Sequence, residues 1–135
     1  MHDQAPGSTP ASILPPPRLQ LLSNGKYTVL LTATGAGYSH WGSCAITRWH
    51  PDPTREDLGC WQYLRDIDEG MTWSAGLQPV GVPADEYEFR SGPGCVRIRR
   101  RDGDIETTTE IVVAGDGDAE VRRIGLHNHG NRERS

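Results

Sequence analysis

The fold is decided by residues 21–41, which read LLSNGKYTVLLTATGAGYSHW. Asn24-Gly25 tolerates the positive φ angles of a tight hairpin turn and therefore predicts a turn between two strands. Residues 27–32 are rich in β-branched and aromatic side chains and are long enough for one buried strand. The glycines that follow at 35 and 37 predict the end of this strand. A polar and aromatic cluster, residues 38–41, is then expected in a loop just beyond it.

The rest of the chain repeats this pattern of short strands and turns. From Arg18 onward, strand candidates recur about every 8–12 residues with Gly, Pro, Asn or Asp between them, which is typical of an antiparallel sandwich or barrel. No helical periodicity extends beyond one turn. We predict an all-β fold, an antiparallel β-sandwich over residues 18–135. Residues 1–17 are rich in Pro, Ala, Ser and Gly and are expected to form a disordered linker.

The clearest local pattern is a hairpin centred on Asp102-Gly103. Taken as a two-residue turn, this dipeptide pairs Arg101 with Asp104 and Arg99 with Glu106. The pairing puts Val96 and Ile98 on one dry face with Ile105, Thr107, Thr109 and Ile111. The wet face carries Arg97, Arg99, Glu106 and Glu110. A last strand is predicted at residues 119–126. Its apolar positions change parity between Val121 and Ile124, which indicates a bulge or two half-buried pieces.

Composition excludes several classes of protein. The 135-residue chain has 14 Lys and Arg against 18 Asp and Glu, a net charge of −4, so nucleic-acid binding has no electrostatic support. No apolar run approaches the roughly 18 residues of a membrane-spanning helix, and the first residues lack the pattern of a signal peptide. The three cysteines are odd in number and without CxxC spacing, which favours free thiols in a reducing compartment. We therefore expect a cytoplasmic location.

The sequence offers no catalytic or metal-binding group. His127 and His129 lack the further ligands that zinc requires. The glycines at 35 and 37 are not followed by the Lys-Ser/Thr of a phosphate loop. Acidic residues between 52 and 69 lie in predicted turns, where solvated carboxylates are expected, so none stands out as one of a glycosidase acid pair. We predict no catalytic residue, no metal and no cofactor.

Aromatic residues carry the functional signal. Six of the eight Trp and Tyr side chains lie between residues 38 and 73. The C–H face of a sugar ring can stack on such side chains while polar neighbours bind its hydroxyl groups. The same residues can instead fill or cap a hydrophobic core, since buried aromatics are common. The residue types alone leave both interpretations open.

Five segments give a more specific indication when they are taken together. They are residues 20–41, 45–49 (AITRW), 63–66 (YLRD), 72–79 (TWSAGLQP) and 100–107 (RRDGDIET). In this order and spacing they resemble the N-terminal β-sandwich of glycoside hydrolase family 94, formerly glycosyltransferase family 36. Within that family the cyclic β-1,2-glucan synthases are the most similar, and the resemblance covers residues 16–131.

This resemblance implies a super-sandwich of antiparallel strands, of the galactose-mutarotase type, joined to an (α/α)6 barrel. Family phosphorylases cleave β-glucosidic bonds with inorganic phosphate and inversion, and the barrel carries the catalytic Asp. The chain contains no part of that barrel. We therefore expect a non-catalytic, carbohydrate-binding or scaffolding sandwich that is truncated at its C-terminus relative to the family. Phosphorylase or transferase activity would belong to a parent enzyme, which could associate with the inner membrane.

The resemblance also indicates where sugar contacts would lie. It places Tyr38, Ser39 and the segment containing Arg48 and Trp49 at strand ends and loops near the sugar cleft. Trp41 completes the set as an aromatic platform. No metal is expected among them.

The implied partners are a β-glucan or oligosaccharide, the catalytic (α/α)6 domain and, as a further possibility, a second copy of the chain. An independent carbohydrate-binding module and a structural domain with buried aromatics are the alternatives. A sheet without its last strands would expose an edge and an apolar face, so we expect aggregation or dependence on a partner domain.

Overall fold

The computed structural model describes residues 19–48 and 56–135, and every regular element in that part of the chain is a β-strand. The strands are β1 (Leu19–Ser23), β2 (Tyr27–Thr32), β3 (Gly37–Trp41), β4 (Cys44–Ala45), β5 (Tyr63–Arg65), β6 (Thr72–Ser74), β7 (Glu86–Gly92), β8 (Cys95–Asp102), β9 (Ile105–Val113) and β10 (Glu120–Asn128).

The strands form three antiparallel sheets. A first sheet has the order β1-β2-β3-β4, a second has the order β10-β9-β8-β7, and β5 with β6 makes a two-stranded hairpin. Each strand in the two larger sheets pairs with its neighbour in sequence, so both are meanders joined by short turns. The prediction of an all-β, antiparallel sandwich is confirmed.

The core lies between the two larger sheets. Its members are Leu22, Tyr27, Val29, Leu31 and Ala33 from the first sheet and its turn, and Phe89, Val96, Ile98 and Ile111 from the second. Inward and outward positions alternate along β2, as the two-residue period of a strand requires. Burial of these side chains from water is what holds the two sheets face to face.

The predicted turn at Asn24-Gly25 is present, and it does more than reverse the chain. The Asn24 side-chain oxygen accepts hydrogen bonds from the backbone N–H groups of Lys26 and Tyr27. Its amide donates to the carbonyls of Ala114 (2.8 Å) and Gly117 (2.9 Å). Asn24 therefore ties the first hairpin to the turn between β9 and β10 at one end of the sandwich.

The hairpin of β8 and β9 confirms the predicted faces but not the predicted register. Asp102 pairs with Ile105 and Arg101 with Glu106, whereas the sequence predicted Arg101 opposite Asp104. Gly103 has a φ of 57° and Asp104 has no positive φ, which is the pattern of a type II′ turn with Gly first. The loop is therefore Gly103-Asp104, and the two-residue shift leaves each side chain on its predicted face.

The predicted bulge in the last strand is wrong. β10 pairs with β9 without interruption from Glu120 to Asn128. Glu120 lies opposite Val113 and Arg122 opposite Ile111, so these charged residues occupy inward positions ahead of Ile124 and Leu126. The apolar pattern changes parity because the first two inward positions of β10 are taken by the Glu120–Arg122 ion pair and not by apolar residues. Leu126 remains 64% exposed, so the inner side of β10 is partly uncovered.

Some predictions fall outside the described residues. The proposed linker, residues 1–17, and Trp49 are among them.

The cysteines at 44, 60 and 95 are free thiols, and the first two are exposed. Residues 19–48 and 56–135 include no helix of the length and apolarity that crossing a bilayer requires.

Candidate functional site

The aromatic and polar cluster at 38–41 lies within a strand, contrary to the predicted loop. A tight turn, closed by a 2.8 Å bond from the Thr32 N–H to the Ala36 carbonyl, allows β3 to begin at Gly37. Because side chains alternate along a strand, Tyr38 and Trp41 lie on opposite faces of β3. The predicted site residues are thus divided between two surfaces.

Ser39 and Trp41 share the inward side of β3, opposite the buried Val29 and Tyr27 respectively. Ser39 is 1% exposed, whereas Trp41, the last residue of the strand, is 48% exposed. Trp41 is therefore available to a ligand at the rim of the space between the sheets. We call Ser39, Trp41 and the segment 46–48, which is hydrogen-bonded to Ser39, the Trp41 rim.

The segment carrying Arg48 is fastened beside Ser39. The N–H groups of Ile46 and Thr47 donate to the Ser39 carbonyl at 2.9 and 3.2 Å, and the Ser39 N–H donates to the Thr47 hydroxyl at 2.8 Å. Arg48 follows directly and is exposed. These backbone bonds bring the predicted residues Ser39, Trp41 and Arg48 to one end of the first sheet.

A partly buried carboxylate, that of Glu120, fixes this rim, and sequence reasoning missed it. One Glu120 oxygen accepts from the hydroxyls of Ser39 (2.5 Å) and Tyr27 (3.3 Å), and the other accepts from Arg122 Nε (2.6 Å). The side chains of Glu120 and Arg122 are only 15% and 10% exposed. Arg122 also donates to the Cys60 carbonyl at 3.0 Å. The Glu120 network, made of Tyr27, Ser39, Glu120 and Arg122, thereby joins the two sheets and the loop at Cys60.

The network fixes the protonation of its members. Burial alone would raise the pKa of Glu120, but the hydrogen bond from Ser39 and the charge of Arg122 outweigh it, so the pKa is lowered from its ordinary value. Burial, followed by the charge of Glu120, raises the pKa of Tyr27. At neutral pH Glu120 is ionised and Tyr27 is a neutral donor, so neither side chain is poised to move a proton.

This protonation predicts a pH-dependent stability. Because the pKa of Glu120 is lower in the fold than in the unfolded chain, its contribution is complete above about pH 4.5 and is lost as the pH falls through the lowered value. We expect E120Q to lower the free energy of unfolding at pH 7 by about 1–2 kcal/mol. The difference from wild type should shrink below pH 4.5, measured by urea denaturation across pH.

The control for this prediction is Y27F, which removes one donor to Glu120 but keeps the carboxylate. It should retain most of the acid-dependent loss of stability. An E120Q protein whose difference from wild type is the same at every pH would contradict a role for the ionised carboxylate.

The outward face of the first sheet forms a second, apolar surface. Tyr38 stacks at 5.4 Å on His40, and the two lie with Leu21, Thr28 and Leu30 around a shallow hollow of about 280 Å³. This surface contains Tyr38 but none of the other predicted site residues. Among the described residues, no group of three or more His, Cys, Asp or Glu side chains is arranged to hold a metal ion.

Comparison with known proteins agrees with the fold. A family model described as "Glycosyl hydrolase 94, supersandwich domain" matches residues 8–135. The chain is 42% identical over 114 residues to the cyclic beta-(1,2)-glucan synthase NdvB of Rhizobium meliloti, covering 84% of this chain and 4% of that protein. It is 28% identical over 127 residues to the N,N'-diacetylchitobiose phosphorylase of Vibrio furnissii, covering 90% of this chain and 16% of that protein.

A third relative is the 3-O-beta-D-glucopyranosyl-beta-D-glucuronide phosphorylase of Paenibacillus borealis, which is 32% identical over 73 residues, 54% of this chain and 10% of that protein. The chain thus spans less than a fifth of the length of each of these relatives. The match over nearly the whole chain, with the antiparallel sandwich described above, establishes the family. The chain belongs to glycosyl hydrolase family 94, where it corresponds to the supersandwich domain.

Proposed function

We propose that this chain is a non-catalytic domain of a cyclic β-1,2-glucan synthase-like enzyme, and that it contributes a β-glucan contact beside an (α/α)6 catalytic domain. The observation that carries the proposal is the Trp41 rim. There the indole of Trp41, which is 48% exposed, ends a strand that the ionised Glu120 fixes through the buried Ser39 hydroxyl. The similarity to a cyclic beta-(1,2)-glucan synthase supports glucan as the ligand.

The chemistry of the rim suits binding better than turnover. An exposed indole offers the apolar face on which a sugar ring stacks, and a few fixed polar groups give orientation. Glu120 is ionised and already accepts from three donors, so it has no proton to give to a leaving group. Arg48, exposed beside Ser39, is a further donor for sugar hydroxyls. The rim can therefore hold a glucan without cleaving it.

Exposed apolar residues support a partner domain. Leu19 and Leu21 on the edge strand β1 are 67% and 57% exposed, and Leu126 on the inward side of β10 is 64% exposed. Apolar groups left in water at two places on a small domain favour association. We expect the isolated chain to aggregate or to depend on a partner, which is the catalytic domain or, alternatively, a second copy. The proposed location is the cytoplasm.

Two other functions make different predictions. An independent carbohydrate-binding module would bind glucan as tightly alone as within a larger enzyme. A purely structural domain would bind none. The exposure of Trp41 favours the first of these over the second, because a structural aromatic is expected to be buried.

We expect W41A to weaken binding of β-1,2-gluco-oligosaccharides at least about fivefold, since loss of one stacking aromatic costs on the order of 1–3 kcal/mol at a binding surface. Isothermal titration calorimetry measures this directly. Tyr63 is 58% exposed on β5, which lies outside the first sheet, so Y63A is the matched control and should bind as wild type does.

Equal losses in W41A and Y63A would show that the contact is not at the rim. Formation of a sugar phosphate from glucan and inorganic phosphate by the chain alone would overturn the proposal that it lacks a catalytic group.

A further inference from the structure

β1 is the least protected edge of the two larger sheets. These sheets end at four outer strands, β1 and β4 in the first and β7 and β10 in the second. β4 has only two residues, and β7 and β10 each carry three Arg or Glu side chains. β1 reads Leu-Gln-Leu-Leu-Ser, without a charge or a proline. Short length, charges and prolines are the usual means of keeping a sheet edge from pairing with another chain, and β1 lacks them.

The β1–β2 hairpin shows which backbone groups of β1 face this edge. The Asn24 N–H donates to the Tyr27 carbonyl at 3.2 Å, which makes these two residues the first hydrogen-bonded pair of the hairpin. Bonded and non-bonded pairs alternate along an antiparallel ladder. In the observed register, this alternation directs the N–H and C=O groups of Leu19, Leu21 and Ser23 away from β2.

A side-chain hydrogen bond agrees with this assignment. The Gln20 amide donates to the Leu21 carbonyl at 3.1 Å, so this carbonyl accepts from a side chain and not from the backbone of β2. Among the described residues, no strand pairs with the outer edge of β1. The edge therefore offers alternate donors and acceptors to an added strand.

The side chains beside this edge are apolar. Leu19 and Leu21 point to the outward face of the first sheet and are 67% and 57% exposed. The register places Leu21 next to Leu30, and Leu30 next to Tyr38, in a row across three strands. A strand added to β1 would extend this row and cover its exposed end, which favours a partner with an apolar residue opposite Leu21.

A second copy of β1 meets these requirements. Antiparallel pairing about a two-fold axis at Leu21 places it opposite the partner's Leu21, and places Leu19 opposite the partner's Ser23. The same residues of both copies direct their backbone groups to the edge, so each facing pair exchanges two hydrogen bonds. No like charges meet, because β1 has no charged residue. The edge is thus complementary to itself, as a two-fold contact requires.

We propose that β1 is an interaction surface through which two copies of this chain join their first sheets into one continuous antiparallel sheet. Each copy contributes one such edge, so the assembly closes at two copies. The ladder is short compared with the interface of a stable dimer, so association should be weak and should increase with protein concentration. The proposal goes beyond the proposed function, because it requires neither a glucan nor a catalytic domain.

The test is sedimentation velocity of the full chain over a range of protein concentrations. We expect the average mass of the wild type to rise from 14.9 kDa toward twice that value and to stop there. L21K and L21E should each remain monomeric, because like charges would face each other across the two-fold axis. An equimolar mixture of L21K and L21E should regain the dimer, because opposite charges then face each other.

L126K is the matched control. It replaces a leucine that is 64% exposed on β10, an edge of the other sheet, and should associate as the wild type does. Circular dichroism shows that each variant is folded.

A folded wild-type chain that stays monomeric at every concentration would overturn the proposal. So would L21K that dimerises as the wild type does, a mixture of L21K and L21E that stays monomeric, or a mass that rises beyond two copies.

Discussion

Replacing Arg100 with methionine is expected to lower the free energy of unfolding by about 3–5 kcal/mol, the cost of removing one partner from a buried ion pair. Arg100 is fully buried, and the side chain of Asp102, which it binds through two hydrogen bonds, is 8% exposed. Loss of the guanidinium leaves this carboxylate uncompensated in a low-dielectric interior. Urea denaturation followed by circular dichroism measures the change.

Arg100 also supports a long connection between strands. Its remaining donors bind the carbonyls of Gly76 (2.7 Å) and Val82 (2.9 Å), which lie in the segment between β6 and β7. These two carbonyls would lose a charged donor in R100M, and the segment would lose its anchor to the second sheet. The loss of stability should therefore be accompanied by faster proteolysis within residues 75–85.

The controls separate burial from charge. Arg97 lies three residues earlier on β8, faces solvent and pairs with Glu110, so R97M should change stability little. The double variant R100M/D102N should recover part of the loss, because it removes the uncompensated charge. An R100M protein that unfolds at the same urea concentration as wild type would contradict this account of the core.

The second large effect is expected at Gly37. A Cβ atom built at this residue would lie 2.4 Å from the Leu30 carbonyl oxygen and 3.1 Å from Leu31 Cδ2. Both neighbours belong to β2, and a backbone carbonyl cannot move aside without disturbing the pairing of β2 with β3. We expect G37A to lower the free energy of unfolding by about 3 kcal/mol, the upper end of the usual cost of overpacking.

Gly92 provides the matched control because it too lies in a strand, and a Cβ there would meet nothing within 4 Å. G92A should be neutral or slightly stabilising, since alanine loses less backbone entropy than glycine on folding. Thermal unfolding of both variants measures the difference. Equal melting temperatures for G37A and G92A would show that β3 can move away from β2 at little cost.

Local chemistry in the sequence predicts much of the fold. Asn24-Gly25 predicts the first turn, and the β-branched run that follows predicts β2, because both depend on the preferences of neighbouring residues. The faces of β8 and β9 follow from alternation alone. Their register does not, because Asp102-Gly103 and Gly103-Asp104 are both plausible loops and only the observed pairing of Asp102 with Ile105 distinguishes them.

The candidate site was less predictable, for two physical reasons. The sequence predicted a loop at residues 38–41, but a tight turn at 33–36 is followed at once by β3. Because side chains alternate along a strand, Tyr38 and Trp41 lie on opposite faces. The Glu120 network joins Ser39 to a residue 81 positions later in the chain. Strand propensity and side-chain alternation depend on residues that are close in sequence. They therefore cannot predict a hydrogen bond between two sheets, such as that of Ser39 with Glu120.

The proposed contact of the Trp41 rim with a β-glucan is tested by titrating the purified, folded chain with β-1,2-gluco-oligosaccharides and following tryptophan fluorescence. Cello-oligosaccharides serve as the control series. We expect a saturable change with the β-1,2-linked series that is weaker with the control series and absent in W41A. A folded, monomeric sample whose fluorescence does not respond to either series would contradict the claim and place recognition outside this domain.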